Sequence, residues 1–335
     1  MISVVIPLYN KLDHIIRTVD SVLAQTFTDY ELIIVDDGST DGSPNLVEKH
    51  RGDHIKLIRQ VNAGVSNARN EGSKAARGEI IAFIDADDTW EPHFLAEIYN
   101  MYSEFPEAEC FATSYQFVLD NDQYHSPKIR FKKRMQHSGL LKNYFEVSAR
   151  GDLPFMMSSF CIKRKFFNQL HGFPEGITMG EDQDLFVRAA LNGHIAYSPS
   201  VLSFYHLDSS NRACQRIVPQ EECSFSKYVF EQTKNKALSP NMRENMNKYS
   251  ASHLLHIASL NIRLGRLTIA KRLLNDERCQ SQPMKYLWWM ANYWLNKLTV
   301  GASKLTWVET TPQIRHTQSI GKRSLSVRTT LSILS

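Results

Sequence analysis

Four short apolar runs alternate with segments of helical periodicity over the first hundred residues, and this alternation limits the possible folds more than any other feature. The runs are rich in branched side chains, which is typical of buried strands. Strands that are apolar on both faces need cover on both sides, as in a parallel sheet between helices. The predicted strands are Ser3–Pro7, Tyr30–Val35, His54–Arg59 and Glu79–Ile84, with a helix over Val65–Arg77 before the fourth.

Acidic residues follow two of these strands directly. Asp36 and Asp37 come after the second strand, and Asp85, Asp87 and Asp88 come after the fourth. In open α/β sheets, ligands bind beyond the carboxyl ends of the strands. Along an extended backbone Asp85 and Asp87 point to the same side, and paired carboxylates suit Mg²⁺, which also takes phosphate oxygens from a substrate. The sequence therefore predicts a metal-assisted phosphate site; a solvated acidic turn is the alternative.

The segment "NAGVSNARNEG" (residues 62–72) provides a second feature that suits phosphate. It places Gly64 before a predicted helix that carries Arg69, and both a helix start and a guanidinium favour phosphate groups. An exposed arginine on an ordinary helix is the alternative. Neither G-x-x-x-x-G-K-[ST] nor G-x-G-x-x-G occurs, so the sequence lacks a P-loop and a dinucleotide fingerprint.

The charge is distributed unevenly along the 335 residues. The formal net charge of +4 is the sum of −6 over residues 1–239 and +10 over residues 240–335. The latter range contains 14 Lys/Arg and 4 Asp/Glu. A basic C-terminal part predicts contact with an anionic surface; a basic helical region without a partner is the alternative. We expect no nucleic-acid partner, because no nucleic-acid motif is recognisable and the acidic clusters would repel a phosphate backbone.

Cysteine usage and hydropathy favour an intracellular location. Five cysteines without a C-x-x-C pair argue against a disulfide framework and a structural zinc site. We also expect no secretory signal and no spanning helix, because the first residues lead straight into a strand and no uninterrupted apolar run reaches about 18 residues. A reducing cytosol fits best.

Six motifs occur in an order that resembles family 2 glycosyltransferases, which have the GT-A fold. They are "VVIPLYN", "IIVDDGSTDGS", "NAGVSNARNEG", "IIAFIDADD", "GED" and "YH", and together they span residues 1 to about 210. The resemblance implies an α/β fold of the GT-A type, with a Rossmann-like mixed sheet flanked by helices, and an α-helical C-terminal extension. The expected layout is a catalytic domain over 1–215 (nucleotide half 1–105, acceptor half 106–215), helices over 216–310 and a disordered tail over 311–335.

The resemblance implies a nucleoside-diphosphate sugar as donor and Mg²⁺ or Mn²⁺ as cofactor. Asp87 is the expected metal ligand, together with His206 of "YH", for which a structural role is the alternative. Asp37 favours uridine, because a carboxylate accepts the N–H of uracil and cytosine has no proton there. The residues expected to bind the nucleotide sugar are Pro7, Tyr9, Asp36, Asp37, Asn62, Arg69, Asp85 and Ala86.

The acidic pair at the start of a predicted helix over residues 182–192 supplies the expected catalytic groups. By resemblance Asp182 is the base and Glu181 positions the acceptor, with Asp184 as a second candidate on the acceptor side. Ordinary helix-dipole chemistry is the alternative for these first-turn carboxylates. Ser158 and Ser159 are expected to line the acceptor side.

The segment "MKYLWWMANYWLNKLTV" (residues 284–300) combines three tryptophans and two tyrosines with flanking lysines. This pattern is typical of helices that lie on a bilayer, so we expect a peripheral contact with the inner face of the cell membrane. A helix that packs on the catalytic domain is the alternative.

Together these features predict a cytoplasmic, metal-dependent inverting glycosyltransferase, either a hexosyl- or an N-acetylhexosaminyltransferase. The donor is expected to be a UDP-sugar and the acceptor a glycan or lipid-linked saccharide in cell-surface polysaccharide synthesis. A non-catalytic nucleotide-sugar-binding or scaffolding protein on the same fold is the alternative.

Overall fold

The computed structural model describes residues 1–50, 55–119, 123–133, 135–209 and 218–305, with side chains up to residue 298. The chain packs as two units. The N-terminal unit contains Met1–Val218 and Cys223–Ser250, and the C-terminal unit contains Pro219–Glu222 and the chain from Ala251 onward. The predicted disordered tail, residues 311–335, lies outside the described residues.

One mixed sheet forms the framework of the N-terminal unit. Within the described residues its strands follow the spatial order β3-β2-β1-β4-β9-β6-β10-β5, with β7 paired to β6 and β8 to β10. The strands are β1 (Ile2–Leu8), β2 (Tyr30–Asp36), β3 (Ile55–Arg59), β4 (Ile80–Phe83), β5 (Thr89–Trp90), β6 (Cys110–Val118), β7 (Tyr124–His125), β8 (Gly139–Leu140), β9 (Phe160–Lys163) and β10 (Ile195–His206).

Helices of the same unit lie between these strands in the chain, with α8 and the first part of α9 after them. They are α1 (Ile15–Leu23), α2 (Ser43–Lys49), α3 (Val65–Ala75), α4 (Phe94–Glu104), α5 (Tyr144–Arg150), α6 (Arg164–Gln169), α7 (Glu181–Asn192), α8 (Ser224–Gln232) and α9 (Pro240–Arg263). A short 3₁₀ helix over Met157–Ser159 precedes β9.

The central strand β1 is buried throughout, and its side chains alternate between two hydrophobic cores. Val5 belongs to the core on one face of the sheet, whereas Val4 and Ile6 belong to the core on the other face. β1 pairs in parallel with β2 and with β4, and β2 pairs in parallel with β3. The predicted parallel arrangement of the first four strands is therefore confirmed.

The sheet becomes mixed beyond β4, where β9 is antiparallel to both β4 and β6. β10 then runs parallel to β6 and antiparallel to the short strand β5. The consequence for the site is that β10 brings its last residue, His206, back toward the loop that follows β4.

The C-terminal unit is helical. It contains the second part of α9, α10 (Leu267–Leu274), a 3₁₀ helix over Glu277–Ser281 and α11 (Pro283–Leu305). Gly265, with φ of 69°, allows the tight turn between α9 and α10 that the sequence predicts. Among the described helices, none is long and apolar enough to cross a membrane.

Candidate active site

The predicted nucleotide residues lie at the carboxyl ends of three adjacent strands, β2, β1 and β4. Parallel strands end at the same edge, so Asp36 and Asp37 are brought beside the loop over Asp85–Asp88 although some fifty residues separate them in the chain. Ala86 in that loop is buried. Pro7 lies in β1 after the pairing with β4 has ended at Val5, where its missing N–H is tolerated. Tyr9, just beyond β1, is 47% exposed and can present its ring to a ligand.

Asp37 anchors the loop that leads into α3. Its Oδ1 accepts hydrogen bonds from Ala63 N (2.8 Å) and Gln60 Nε2 (2.7 Å), and its Oδ2 accepts one from Gly64 N (2.9 Å). Asn62 Nδ2 donates to the Asp37 carbonyl at 2.9 Å. The carboxylate thereby fixes the start of α3, and because each oxygen offers two lone pairs, Oδ2 retains acceptor capacity for a nucleobase N–H.

Asp36 shapes the turn after β2. Its Oδ1 accepts a hydrogen bond from Ser39 N at 2.9 Å, which is the Asx-type turn that aspartate favours. The backbone carbonyl of the same residue accepts from Gln60 N at 2.9 Å. Asp36 is thus a structural residue of the turn in this structure, and its predicted contact with the nucleotide stays a prediction.

Arg69 of α3 links the loop after β4 to the start of α7. Its side chain is almost fully buried, and its guanidinium donates to Asp85 Oδ1 at 2.6 Å and to Glu181 Oε1 at 3.1 Å. The ring of Phe173 lies 5.2 Å from the guanidinium carbon. Burial alone would lower the pKa of Arg69, but the charges of Asp85 and Glu181 outweigh it and raise the pKa. A permanent positive charge therefore joins Asp85, on the predicted donor side, to Glu181, the residue before the predicted base.

Asp182 has the protonation behaviour of a general base. Burial, followed by the charge of Glu181, raises its pKa to about 7, while Arg69 acts in the opposite direction. A base whose pKa lies near the working pH is both deprotonated and basic enough to accept a proton. Gly180, with φ of 84°, precedes α7 and gives the chain the sharp turn before this pair.

Asp184 has a different environment from Asp182. Its carboxylate accepts a hydrogen bond from Arg188 Nε at 2.6 Å, one turn along α7. Arg188 also donates to the carbonyls of Leu170 and Gly172. Asp184 therefore orients an arginine that fastens a loop, which differs from the expectation of a second candidate on the acceptor side.

Asp87 is the carboxylate of the loop that pairs with a lysine. Lys11 Nζ donates to Asp87 Oδ2 at 2.7 Å and to Ser209 Oγ at 2.6 Å. Arg17 donates to the Asp87 carbonyl at 3.1 Å and pairs with Asp208 at 2.9 Å. The segment after β1 and the start of α1 thus bring two cations to the predicted metal ligand.

Asp88 forms the buried base of the same loop. Ser158 Oγ donates to its Oδ2 at 2.5 Å, His206 N donates to its Oδ1 at 3.2 Å, and Thr18 Oγ1 donates to its carbonyl at 2.8 Å. Burial and the nearby charges of Asp87 and Asp85 raise its pKa. Asp88 therefore holds α1, β10 and the 3₁₀ helix together beneath the site.

Ser158 and Ser159 belong to this supporting layer. Both are buried, and the Ser158 hydroxyl also accepts from Asp85 N at 3.0 Å, while Ser159 Oγ accepts from Met156 N at 3.0 Å. This differs from the expectation that they line the acceptor side, because hydroxyls that bond within the protein and are shielded from solvent cannot contact an acceptor. Ser158 instead fixes the direction of the loop that carries Asp85 and Asp87.

His206, the last residue of β10, is neutral at physiological pH. Burial and the charge of Arg17 lower its pKa to about 4. Its Nε2 lies 2.9 Å from Thr89 Oγ1. A neutral imidazole is the form that ligates metals.

The residues at this edge fit a divalent cation that takes few protein ligands. Asp85 and Asp87 supply hard oxygen donors, and they add negative charge beside Asp88, whose pKa is raised first by burial and then by these two carboxylates. Within the described part of the chain, no cluster of three or more His, Cys, Asp or Glu side chains is arranged to hold a metal. Such a site suits Mg²⁺ or Mn²⁺ completed by water and diphosphate oxygens rather than a fully protein-bound metal.

Lys11, Arg17 and Arg188 were missed by the sequence interpretation. Each is a basic residue without a motif around it, and its partner is 4 to roughly 190 residues away in the chain. Only the position of Lys11 directly after "VVIPLYN" offered a signal. A cavity of about 310 Å³ lies against this segment and is lined by residues 10–14, Thr40, Asp41 and Ser209.

Comparisons with known proteins agree with this arrangement. Residues 3–168 match the model of glycosyl transferase family 2. The chain is 33% identical over 198 residues to an uncharacterized glycosyltransferase of Rickettsia conorii, and 25% identical over 232 residues to the chondroitin synthase of Escherichia coli. These alignments cover 58% and 67% of this chain but only 31% and 32% of the relatives. The chain thus spans about a third of the length of these curated relatives.

A solved structure supports the fold over most of the chain. Residues 1–349 of S. aureus TarS, in complex with UDP-GlcNAc, superpose with a TM-score of 0.68 at 20% identity and 91% coverage of both chains. Identity at this level supports the fold alone. The mixed sheet, the ordered motifs and the family match agree: through residues 3–168 the chain belongs to glycosyl transferase family 2, with a GT-A fold followed by C-terminal helices.

Proposed function

We propose that this protein is an inverting glycosyltransferase that moves a sugar from a UDP-sugar to a saccharide or lipid-linked saccharide. The observation that carries the proposal is the Arg69 bridge. One buried guanidinium joins Asp85, at the expected diphosphate edge, to Glu181, which directly precedes the expected base. Asp182 follows this bridge directly, and its pKa, raised by burial and by Glu181 to about 7, is of the kind that clusters at functional sites.

In the proposed reaction the Asp182 carboxylate removes the proton of an acceptor hydroxyl. The hydroxyl oxygen forms a bond to the anomeric carbon while the bond from that carbon to the diphosphate oxygen breaks, so that the configuration inverts and UDP leaves. Arg69 places positive charge between the two carboxylates and keeps Asp85 and Glu181 oriented. Lys11 is near enough to Asp87 to contact the departing diphosphate after a small side-chain movement.

Asp87 and His206 are the side chains that would hold Mg²⁺ or Mn²⁺, and Asp85 would reach the ribose or a water bound to the metal. A divalent cation bound there supplies charge stabilisation for the diphosphate leaving group. The protein residues provide the support: Ser158 and Asp88 fix the loop from below, and Thr89 orients the His206 ring.

We place the reaction on the cytoplasmic side of the membrane, in the synthesis of a cell-surface polysaccharide. The proposal is supported by the sequence pattern and by the family membership.

The test is a donor panel read by UDP, GDP and CDP release in the presence of Mn²⁺ and by mass spectrometry of saccharide acceptors. We expect turnover with a UDP-sugar, and loss of at least about a hundredfold in Asp87→Ala. Asp20→Asn is the matched control, because Asp20 is an exposed carboxylate of α1 that pairs with His50. UDP-sugar binding without turnover by the wild type, under any acceptor, would favour the non-catalytic alternative.

A further inference from the structure

Helix α11 has two apolar faces, and only one of them packs against other described residues of the C-terminal unit. One face packs against the hydrophobic cluster formed by the second part of α9 and by α10. Its residues are Tyr286, Trp289, Met290 and Tyr293. Tyr293 is 6% exposed. Packing through this face accounts for the position of the helix in the unit. It does not account for the apolar side chains on the other face of α11.

The second face is a continuous stripe of exposed apolar side chains. Their exposed fractions lie between 48% and 80%. The spacing is 3, 1, 6, 1 and 3 residues, so the stripe occupies roughly 120° of the helix circumference and is about 21 Å long. The members of this apolar stripe are Met284, Leu287, Trp288, Trp294, Leu295 and Leu298.

Lysines lie at the border of the apolar stripe. The ammonium groups of Lys297 and Lys271 lie 4.9 Å and 6.0 Å from the ring centre of Trp294. Residues 251–298 contain seven Lys and Arg against two Asp and Glu. An apolar stripe with tryptophans and a basic border is the pattern of a helix that lies in the interface of an anionic bilayer.

We propose that the apolar stripe of α11 is a peripheral membrane-binding surface that inserts into the headgroup region of a bilayer rich in anionic lipid. Tryptophan suits this depth because its ring is apolar and its N–H is polar. The lysine border meets the lipid phosphates, each charge adding to the attraction at the surface. A second copy of the chain is a poorer occupant, because a symmetric contact between two stripes would bring two lysine borders together.

The test is flotation of the full-length protein with vesicles of phosphatidylcholine alone or mixed with phosphatidylglycerol. We expect the wild type to float with the anionic vesicles. Leu287→Glu/Leu295→Glu should lower the partition coefficient by about tenfold or more, since it replaces inserted leucines by charge. Leu23→Glu/Leu264→Glu is the matched control, with the same substitutions at exposed leucines outside the stripe, and it should lose much less.

The basic border is tested separately by Lys271→Gln/Lys297→Gln, which should weaken binding to the anionic vesicles and leave binding to phosphatidylcholine unchanged. All the substituted side chains of the stripe are exposed, and circular dichroism melting should show unchanged folding. Equal loss in both glutamate pairs would overturn the proposal. A wild-type protein that does not float would also overturn it. The same holds if the wild type sediments as a dimer and only the Leu287→Glu/Leu295→Glu variant sediments as a monomer.

Discussion

At the scale of single residues, the proposed transfer reaction depends on Asp182 and its neighbours. The carboxylate lies in the first turn of α7, beside Glu181 and near Arg69. The helix N-terminus and Arg69 favour the charged form, whereas burial and Glu181 favour the neutral form. The balance leaves a base that is roughly half deprotonated near neutral pH.

The pH dependence of the reaction follows from this balance. Because the base acts when deprotonated, kcat/KM should rise with pH through an apparent pKa near 7, rather than through the value near 4 of an ordinary aspartate. Initial rates of UDP release from about pH 5 to pH 9, at constant ionic strength, measure this limb. A profile that is flat across this range would show that no group with such a pKa takes part.

Lys11 is expected to compete with a divalent cation for Asp87. Its ammonium group pairs with the Asp87 carboxylate at 2.7 Å, where the cation would bind. Lys11→Met should increase the affinity for Mn²⁺ alone by about two- to fivefold, the magnitude of a lost ion pair of this kind. It should weaken UDP binding at the same time, since a positive charge near the diphosphate is removed.

Lys11→Arg is the control for this charge and should keep Mn²⁺ affinity near the wild-type value. Electron paramagnetic resonance of free Mn²⁺ and calorimetry with UDP provide the two readouts. Unchanged Mn²⁺ affinity in Lys11→Met would mean that the ion pair with Asp87 does not compete with the cation.

At the scale of elements, α3 is the part that delivers Arg69 to the site, and it does so by packing closely on the sheet. A Cβ at Gly72 would lie 2.4 Å from Val5 Cγ1 and 3.2 Å from Val35 Cγ2, so the helix approaches β1 and β2 where only glycine fits. One turn earlier, Arg69 projects toward Asp85. The helix position and the guanidinium position are therefore linked.

Gly72→Val should lower the free energy of unfolding by about 1–3 kcal/mol, the usual cost of overpacking. Thermal melting and urea denaturation measure the loss. Glu71→Val introduces the same residue at the adjacent position, where the side chain is exposed and pairs only with exposed Lys74, and it should change the stability by less than about 1 kcal/mol. Equal stability of both variants would show that α3 is free to shift away from β1.

The sequence predicted the elements that build the donor side, and it did so for a physical reason. Strands β1, β2 and β4 are short and apolar on both faces, and acidic residues follow β2 and β4, so periodicity locates each strand within about two residues. The roles of Ser158 and Asp184 were not legible, because burial and the partner Arg188 follow from how β9 and α7 pack. The antiparallel insertion of β9 has no local signal, since the pairing joins residues about 80 apart.

At the scale of the whole molecule, the chain combines a GT-A unit with a helical unit, and the formal charge changes sign along the sequence. Residues 1–239 carry −6 and residues 240–335 carry +10. The acidic residues of the first part gather where a cation and a diphosphate are expected, and the basic residues of the second part border an apolar stripe on α11. The chemistry and the proposed membrane contact thus reside in different units and are tested independently.

The rate of sugar transfer by Asp182→Asn decides whether Asp182 is the base. Nucleotide binding and stability are measured on the same preparation. Because the pKa of Asp182 is raised, its contribution to stability is complete below the pKa of the unfolded chain and is lost as pH rises through about 7. Near pH 8 the asparagine variant should therefore be at least as stable as the wild type. We predict UDP–Mn²⁺ affinity within about twofold of the wild type and a rate of sugar transfer lower by about 10²–10⁴-fold. Transfer at a near wild-type rate would contradict the assignment of Asp182 as the base.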